Sequence, residues 1–239
     1  FFPNIGSGSQ SAYNSVDAPL WFFWCIQQYA YANNAREQVW TLYKDVMKQI
    51  LDTLSEGTNN VRMESNFLLW QSQEGAAPTW MDAIIDGEPV TRRNGYAVEL
   101  NALWFNAVMF YRELATLACQ DGETARWDEF AAEFPEHFKQ TFWSKEKGYL
   151  ADCVYGMKKD FSVRCNMIFA VSMPYTCLSL KIRQLIVEKV KQELLTPYGL
   201  RTLSPTSADY HPQYRGSQPE RDRAYHNGTV WAWLIGAFA

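Results

Sequence analysis

The chain has 239 residues, of which 47% are hydrophobic and 15% aromatic, and its formal net charge is −4. This length and apolar content are enough to bury a large core, so we expect a folded protein. No run of Lys and Arg is long enough to follow a phosphate backbone, so we expect no nucleic-acid partner. Polar side chains such as Gln27, Glu99 and Asn101 interrupt the apolar runs, so we expect no membrane span.

The five cysteines are odd in number and lack the spacing of a metal site. Most of them stand among apolar residues, which favours buried free thiols in a reducing, cytoplasmic compartment. The histidines have no acidic or cysteine companions at ligand spacing. We therefore predict no metal site and no cofactor.

The first half of the chain predicts three helices and a hairpin. Residues 18–32 are strongly apolar, as in a buried helix, whereas 35–54 place apolar residues three and four apart opposite a charged face. Short strand-like pieces within 59–79 predict a small β-hairpin. Residues 97–118 are again apolar on nearly every side, so this helix is expected to lie inside.

The second half alternates the same two kinds of predicted helix. Residues 123–142 and 179–195 have one apolar and one charged face, whereas 165–173 and 229–239 are apolar throughout. Pro135 is expected to kink or restart its helix because proline lacks an amide donor. Residues 201–224 are rich in Pro, Ser, Arg and Tyr and predict a long loop that forms a functional rim or lid.

Four buried helices therefore alternate with three covering helices, as they must when helical hairpins close into a ring. We predict an all-α fold, a partial toroid with small β-hairpins in its rim loops, formed by one incomplete domain over residues 1–239. A closed ring of six hairpins requires twelve helices, so part of the ring is missing. The exposed apolar surface of a partial toroid is expected to favour self-association.

A polar and aromatic cluster precedes each apolar run, and a ring would present all of these clusters to one cavity. They are Tyr13 to Asp17, Trp80 to Asp82 with Thr91 to Arg93, Phe161 to Arg164, and Tyr225 to Gly228. Aromatic planes and bidentate polar groups together are typical of sugar recognition. A single Trp beside an Asp is more often a core residue next to a helix cap, so the indication is collective.

Asp82 follows Trp80 and Met81, whose bulk would raise the pKa of the carboxyl group and suit it to protonate a glycosidic oxygen. The alternative is an Asx-turn residue that starts the turn at Asp86 and Gly87. Asp17 precedes Ala18 and Pro19, so capping the helix explains it, although it can also bind hydroxyls.

Glu99 lies one turn into a buried helix, where an ionised carboxylate requires a partner, and Arg92 or Arg93 is available. We expect this pair to position the site rather than to donate protons. His226 opens the last apolar run. A neutral imidazole that binds a hydroxyl or caps the helix is a simpler interpretation than proton transfer.

Four strings resemble the amylo-α-1,6-glucosidase domain of glycogen debranching enzymes: YNSVDAPLWFFW, TWMDA, PVTRRNGYAVELNALWFNA and RDRAYHNGTVWAWLIGAF. This resemblance implies an (α/α)6 toroid related to glucoamylase. It also implies inverting hydrolysis of α-1,6-linked glucose in glycogen or limit dextrin, which makes α-glucan the expected partner. Arg223, Asn227 and Ala232 depart from the family pattern.

The resemblance places the catalytic acid at Asp82. The residues that it implies for glucose contacts or the cavity wall are Asp17, Trp80, Arg93, Glu99, His226 and Trp231. It places the general base, a Glu, beyond Ala239, so we expect the 239-residue chain alone to be inactive or nearly so. Other interpretations remain open: a trehalase-like or glucoamylase-like toroid hydrolase, a non-catalytic carbohydrate-binding toroid, or a helical toroid that serves protein partners.

Overall fold

A computed structural model describes residues 15–58, 60–72 and 77–239. The predictions made for Tyr13 and Asn14 lie outside the described residues. The same applies to residues 59 and 73–76, which fall within the predicted hairpin region.

Helices account for most of the regular structure. They are α1 Ala18–Ala32, α2 Arg36–Glu56, α3 Val98–Leu117, α4 Asp121–Ala125, α5 Asp128–Phe142, α6 Phe169–Ser172, α7 Leu180–Glu193, α8 Gln218–Tyr225 and α9 Ile235–Phe238, with 3-10 turns at Cys165–Ile168 and Ala232–Leu234.

Short antiparallel strands connect the helices. They are β1 Val61–Met63, β2 Leu69–Gln71, β3 Ile84–Ile85, β4 Glu88–Pro89, β5 Tyr96–Ala97, β6 Trp143–Ser144, β7 Tyr149–Leu150, β8 Cys153–Tyr155, β9 Lys158–Asp160, β10 Leu195–Thr196, β11 Gly199–Arg201 and β12 Val230–Trp231. The pairs β1–β2, β3–β4, β6–β7, β8–β9 and β10–β11 are hairpins, β5 adds to β8, and β12 adds to β11.

The core centres on α3, which is buried on most of its circumference, and α1 and α2 both pack against it. Helix α5 covers another side with a row of phenylalanines spaced four apart. Phe134 in this row stacks on Phe105 of α3 at a centroid distance of 5.0 Å. The prediction of a buried α3 and of one-sided α2, α5 and α7 is confirmed. The sequence predicts a buried α1 as well, but only one of its faces is buried, since Cys25 and Tyr29 are exposed.

Two of the four predicted inner helices are wrong in length. The run 165–173 forms a 3-10 turn and the one-turn helix α6, because Met173 precedes Pro174 and takes an extended conformation. The run 229–239 begins as strand β12, which pairs with β11, and only its last residues form the one-turn helix α9. These two runs therefore do not supply the full-length inner helices that the predicted ring of helical hairpins requires.

Two further expectations are corrected. Helix α5 continues through Pro135 instead of restarting there, and the break falls earlier, between α4 and α5. The predicted loop 201–224 ends in α8, because Ser217 and Glu220 form a reciprocal capping box at its start. The predicted turns around Gly148 and Gly199 are confirmed as the hairpins β6–β7 and β10–β11. None of the helices described is both long and apolar enough to cross a membrane.

Candidate active site

A cavity of about 780 Å³ opens at the amino-terminal end of α1. Indole and phenyl rings from four segments form its walls: Trp21 and Trp24 of α1, Trp80, Phe169 of α6, and Trp233. Its polar lining includes Ser15, Asp17, Gln28, Thr79, Asp82 and Ser172. Broad aromatic walls with a few carboxyl and hydroxyl groups suit a ligand that has both C–H faces and hydroxyls.

Asp17 occupies the N-cap position of α1, but its side chain does not cap the helix. The carboxylate instead accepts hydrogen bonds from Ser15 Oγ at 2.6 Å and from the Trp80 amide at 3.1 Å. Asp17 is only 2% exposed. Burial raises the pKa of this carboxyl, and the two hydrogen bonds oppose that shift. The capping interpretation is therefore wrong for the side chain, which binds the segment that carries Asp82.

Asp82 is exposed at the cavity, between the buried residues Met81 and Ala83. Desolvation by its surroundings raises the pKa of Asp82, and the charge of Asp17 adds to that shift. The β-turn at Asp86 and Gly87 is formed separately, between β3 and β4. A carboxyl group that is accessible and holds its proton to higher pH has the properties of a proton donor.

Trp80 is the centre of an aromatic cluster that forms part of the cavity wall and extends behind it. Its ring lies 5.3 Å from His226, 6.1 Å from Trp231 and 5.2 Å from Trp233, edge to face in each case. His226 and Trp231 stack on each other at 6.1 Å. The Trp231 indole donates to the Tyr225 carbonyl at 3.1 Å, which fixes that ring.

His226 ends helix α8 and does not open an inner helix as predicted. It is 1% exposed, and within the described residues its Nδ1 has no hydrogen-bond partner. Burial and the nearby positive charges of Arg164 and Arg93 lower its pKa from 6.5 to about 3. The imidazole is therefore neutral near pH 7, but among the described residues it neither lines the cavity nor caps a helix through Nδ1.

Arg93 and Glu99 form a fully buried ion pair, with two hydrogen bonds of 2.5 Å between guanidinium and carboxylate. Arg92, the alternative partner, instead pairs with Glu88 at the surface. Arg93 Nε also donates to Asp152 at 2.6 Å. Desolvation alone would lower the pKa of Arg93, but attraction to Asp152 and Glu99 holds it well above its usual range.

Sequence reasoning missed Asp152 and Asn166. Asp152 accepts from Asn166 Nδ2 at 2.7 Å, and Asn166 Oδ1 accepts from the Trp80 indole at 2.9 Å. The sequence held one indication, since Asp152 stands alone in the apolar string from Tyr149 to Val154. A charge in such a setting is rarely buried without a partner.

The structure thus divides the predicted site residues into three groups. Asp17, Trp80 and Asp82 line the cavity. His226 and Trp231 pack directly behind Trp80. Arg93 and Glu99 lie deeper, with no exposed side-chain surface. In the described part of the chain no three His, Cys, Asp or Glu side chains are grouped so as to hold a metal ion.

Known proteins resemble this chain in sequence and in fold. The glycogen debranching enzyme of Saccharomyces cerevisiae is 24% identical over 201 residues, a match that covers 67% of this chain and 13% of the yeast protein. A solved sialidase structure superposes with a TM-score of 0.62 at 12% identity, over 82% of this chain and 17% of that one. A GH78 family rhamnosidase of a Bacillus species gives a TM-score of 0.47 at 17% identity, over 96% and 26% of the two chains.

The family model described as amylo-alpha-1,6-glucosidase matches residues 1–239. The chain spans only a small part of the length of its curated relative, but all 239 of its own residues match the family model. The resemblance of the four sequence strings is confirmed, and the chain belongs to the amylo-alpha-1,6-glucosidase family.

Proposed function

We propose that this chain is part of a debranching glucosidase that hydrolyses α-1,6-linked glucose in glycogen or limit dextrin. One observation carries the proposal: Asp82 is an accessible carboxyl group with a raised pKa at a cavity walled by tryptophans. Family membership supports an α-glucan as the substrate. The proposal includes closure of the helices as a partial (α/α)6 toroid, one domain over residues 1–239 and a cytoplasmic location.

Asp82 acts as the general acid. Its raised pKa keeps a larger fraction protonated near neutral pH, and that proton goes to the glycosidic oxygen as the bond to the anomeric carbon breaks. Inversion requires a second carboxylate about 6.5–9.5 Å from the acid, which activates water on the opposite sugar face. Asp17 does not suit that role, since two hydrogen bonds tie its carboxylate to Ser15 and Trp80.

The tryptophans bind the sugar. Trp21, Trp24 and Trp80 present partly exposed rings to the cavity, and such rings stack on the C–H faces of glucose. Asp17 and Gln28 supply polar atoms for the hydroxyls. Burial of stacked rings favours binding, whereas the hydroxyl contacts select the orientation that brings the linkage oxygen to Asp82.

The test compares Asp82→Asn with Asp86→Asn in the full-length protein. Asp86 is exposed in the β3–β4 turn at φ 53°, a conformation that Asn tolerates, so this variant is the matched control. On maltotetraose with one α-1,6-linked glucose, Asp82→Asn should reduce kcat by about 10²–10⁴-fold while binding is retained. Asp86→Asn should leave kcat unchanged.

A wild-type rate retained in Asp82→Asn would contradict the assignment of the acid. Trehalose and linear maltotetraose serve as competing substrates. Preferential cleavage of trehalose would favour a trehalase-like enzyme, and binding of branched glucan without cleavage would favour a carbohydrate-binding module.

A further inference from the structure

Trp80 is held at two points, one on its backbone and one on its ring. Its amide donates to Asp17 at 3.1 Å, and its indole Nε1 donates to Asn166 Oδ1 at 2.9 Å. Trp80 lines the cavity and stands two residues before Asp82. Whatever fixes this ring therefore also restricts the short segment that carries the proposed acid.

The orientation of the Asn166 amide is set by Asp152. Asn166 Nδ2 lies 2.7 Å from Asp152 Oδ1, and an ionised carboxylate can only accept hydrogen bonds. The amide nitrogen must face Asp152, so the amide oxygen must face Trp80, which can only donate. Asn166 is 0% exposed, so water does not compete for either contact.

Asp152 is in turn fixed by the buried cations. Arg93 Nε donates to Asp152 Oδ2 at 2.6 Å, and Arg164 Nε lies 3.9 Å from the same oxygen. Arg93 is clamped by Glu99 through its other nitrogens. Two arginines and two carboxylates thus form a buried cluster that holds the Asp152 carboxylate in place.

The same cluster holds the backbone of His226, whose ring packs on Trp80. Arg164 Nη1 donates to the His226 carbonyl at 2.7 Å, and Nη2 donates to Asn227 Oδ1 at 2.9 Å. The His226 imidazole meets the Trp80 ring edge to face at 5.3 Å. The indole is therefore restricted by its hydrogen bond to Asn166 and by the buried His226 ring packed against it.

We propose that Asp152 and Asn166 are positioning residues that set the Trp80 ring for sugar binding and cleavage. Neither is among the described residues that line the cavity, so both act through Trp80. The inference has a kinetic half, the effect on cleavage, which rests on the proposed function. Its structural half, the orientation of the Trp80 ring, rests on the hydrogen bonds alone. A cavity wall loosened by about 1 Å can reduce the rate on the order of 10²-fold.

The experiment reads the Trp80 indole N–H directly in a ¹H–¹⁵N spectrum. Both readouts are taken on the full-length protein, in which Trp80→Phe identifies the Trp80 signal by its loss. Asn166→Leu removes the acceptor and should shift the Trp80 signal, while kcat/KM on the branched maltotetraose falls at least tenfold. Asn166→Asp keeps an oxygen that can accept from the indole and should largely preserve the Trp80 signal.

Asn106→Leu is the matched control. Asn106 is also 0% exposed, and its amide also bridges two elements: it donates to Gln27 Oε1 at 2.8 Å and accepts from the Tyr175 amide at 3.1 Å. This variant should lose stability to a similar extent but leave the Trp80 signal and kcat/KM in place. Equal effects of Asn166→Leu and Asn106→Leu on both readouts would overturn the proposal.

A failure of the proposed function can be distinguished from a failure of this inference. If the wild-type protein does not cleave the branched substrate, the proposed function fails and the kinetic half of this inference fails with it. The indole signal still decides the structural half: an unshifted Trp80 resonance in Asn166→Leu would refute it.

Discussion

The buried Arg93–Glu99 pair leads to a quantitative stability prediction. Replacing Glu99 with Gln keeps the shape of the side chain but removes one of the two negative charges of the cluster. The other charges are Asp152, Arg93 and Arg164, all buried, so the cluster is left with a net positive charge. Breaking a buried ion pair by removing one partner destabilises a protein by about 3–5 kcal/mol.

The lower end of that range applies here because Arg93 keeps its 2.6 Å contact with Asp152. We therefore expect Glu99→Gln to reduce the free energy of unfolding by about 3 kcal/mol. For a chain of this size, 1 kcal/mol corresponds to roughly 2–4 °C in Tm. The expected decrease in Tm is then roughly 6–12 °C.

The matched control is Glu88→Gln, which breaks the neighbouring pair with Arg92. That pair is at the surface, with side chains 75% and 69% exposed, so its loss should change stability by less than about 1 kcal/mol. Both variants are compared with wild type at pH 7 by thermal unfolding followed by circular dichroism. Equal Tm values for the two variants would refute the argument that burial gives the Arg93–Glu99 pair its importance.

Three further predictions concern the cavity and its supports. Because the charge of Asp17 raises the pKa of Asp82, Asp17→Asn should move the alkaline limb of the kcat/KM profile to lower pH; a shift to higher pH would contradict this. The pKa of His226 is about 3 in the folded state and 6.5 in the unfolded state, so between these pH values only the unfolded state binds the proton. Stability should therefore decrease as the pH falls from 6.5 towards 3. In His226→Phe the urea midpoints at pH 4 and pH 7 should differ less than in the wild type. Gly199→Ala should reduce the free energy of unfolding by more than about 2 kcal/mol, because a Cβ at φ +147° would overlap the Trp231 backbone oxygen in β12. Gly87 has φ +82° but open space around it, so Gly87→Ala should reduce that free energy by about 1 kcal/mol. Equal urea midpoints for the two variants would refute the steric argument.

The layering of the helices could be read from the sequence because it is a local, periodic property. A helix apolar on all sides, such as α3, has no face that suits water, and a helix with charges on one side, such as α7, must cover a core. The turn at Gly148 is also local, since a glycine at positive φ closes a short hairpin. The family resemblance rests on the same kind of contiguous information.

The lengths of the helices could not be predicted equally well from the sequence. The run 165–173 is as apolar as a buried helix, but Pro174 and the 3-10 geometry limit α6 to one turn. The run 229–239 starts as a strand because β11, about thirty positions earlier, offers a free edge to Val230 and Trp231. Apolarity alone does not distinguish a short buried helix from a paired strand.

The sequence by itself determined that Glu99 needs a cationic partner and that Asp82 stands beside bulky apolar side chains, because a buried charge and a desolvated acid follow from near neighbours. Only the tertiary structure decided the rest. Asp152 lies 59 positions from Arg93, and Asn166 lies 86 positions from Trp80, so no local pattern could predict these contacts. The positions of Asp17, His226 and Trp231 around the cavity depend on how distant segments pack, and packing is a property of the whole chain.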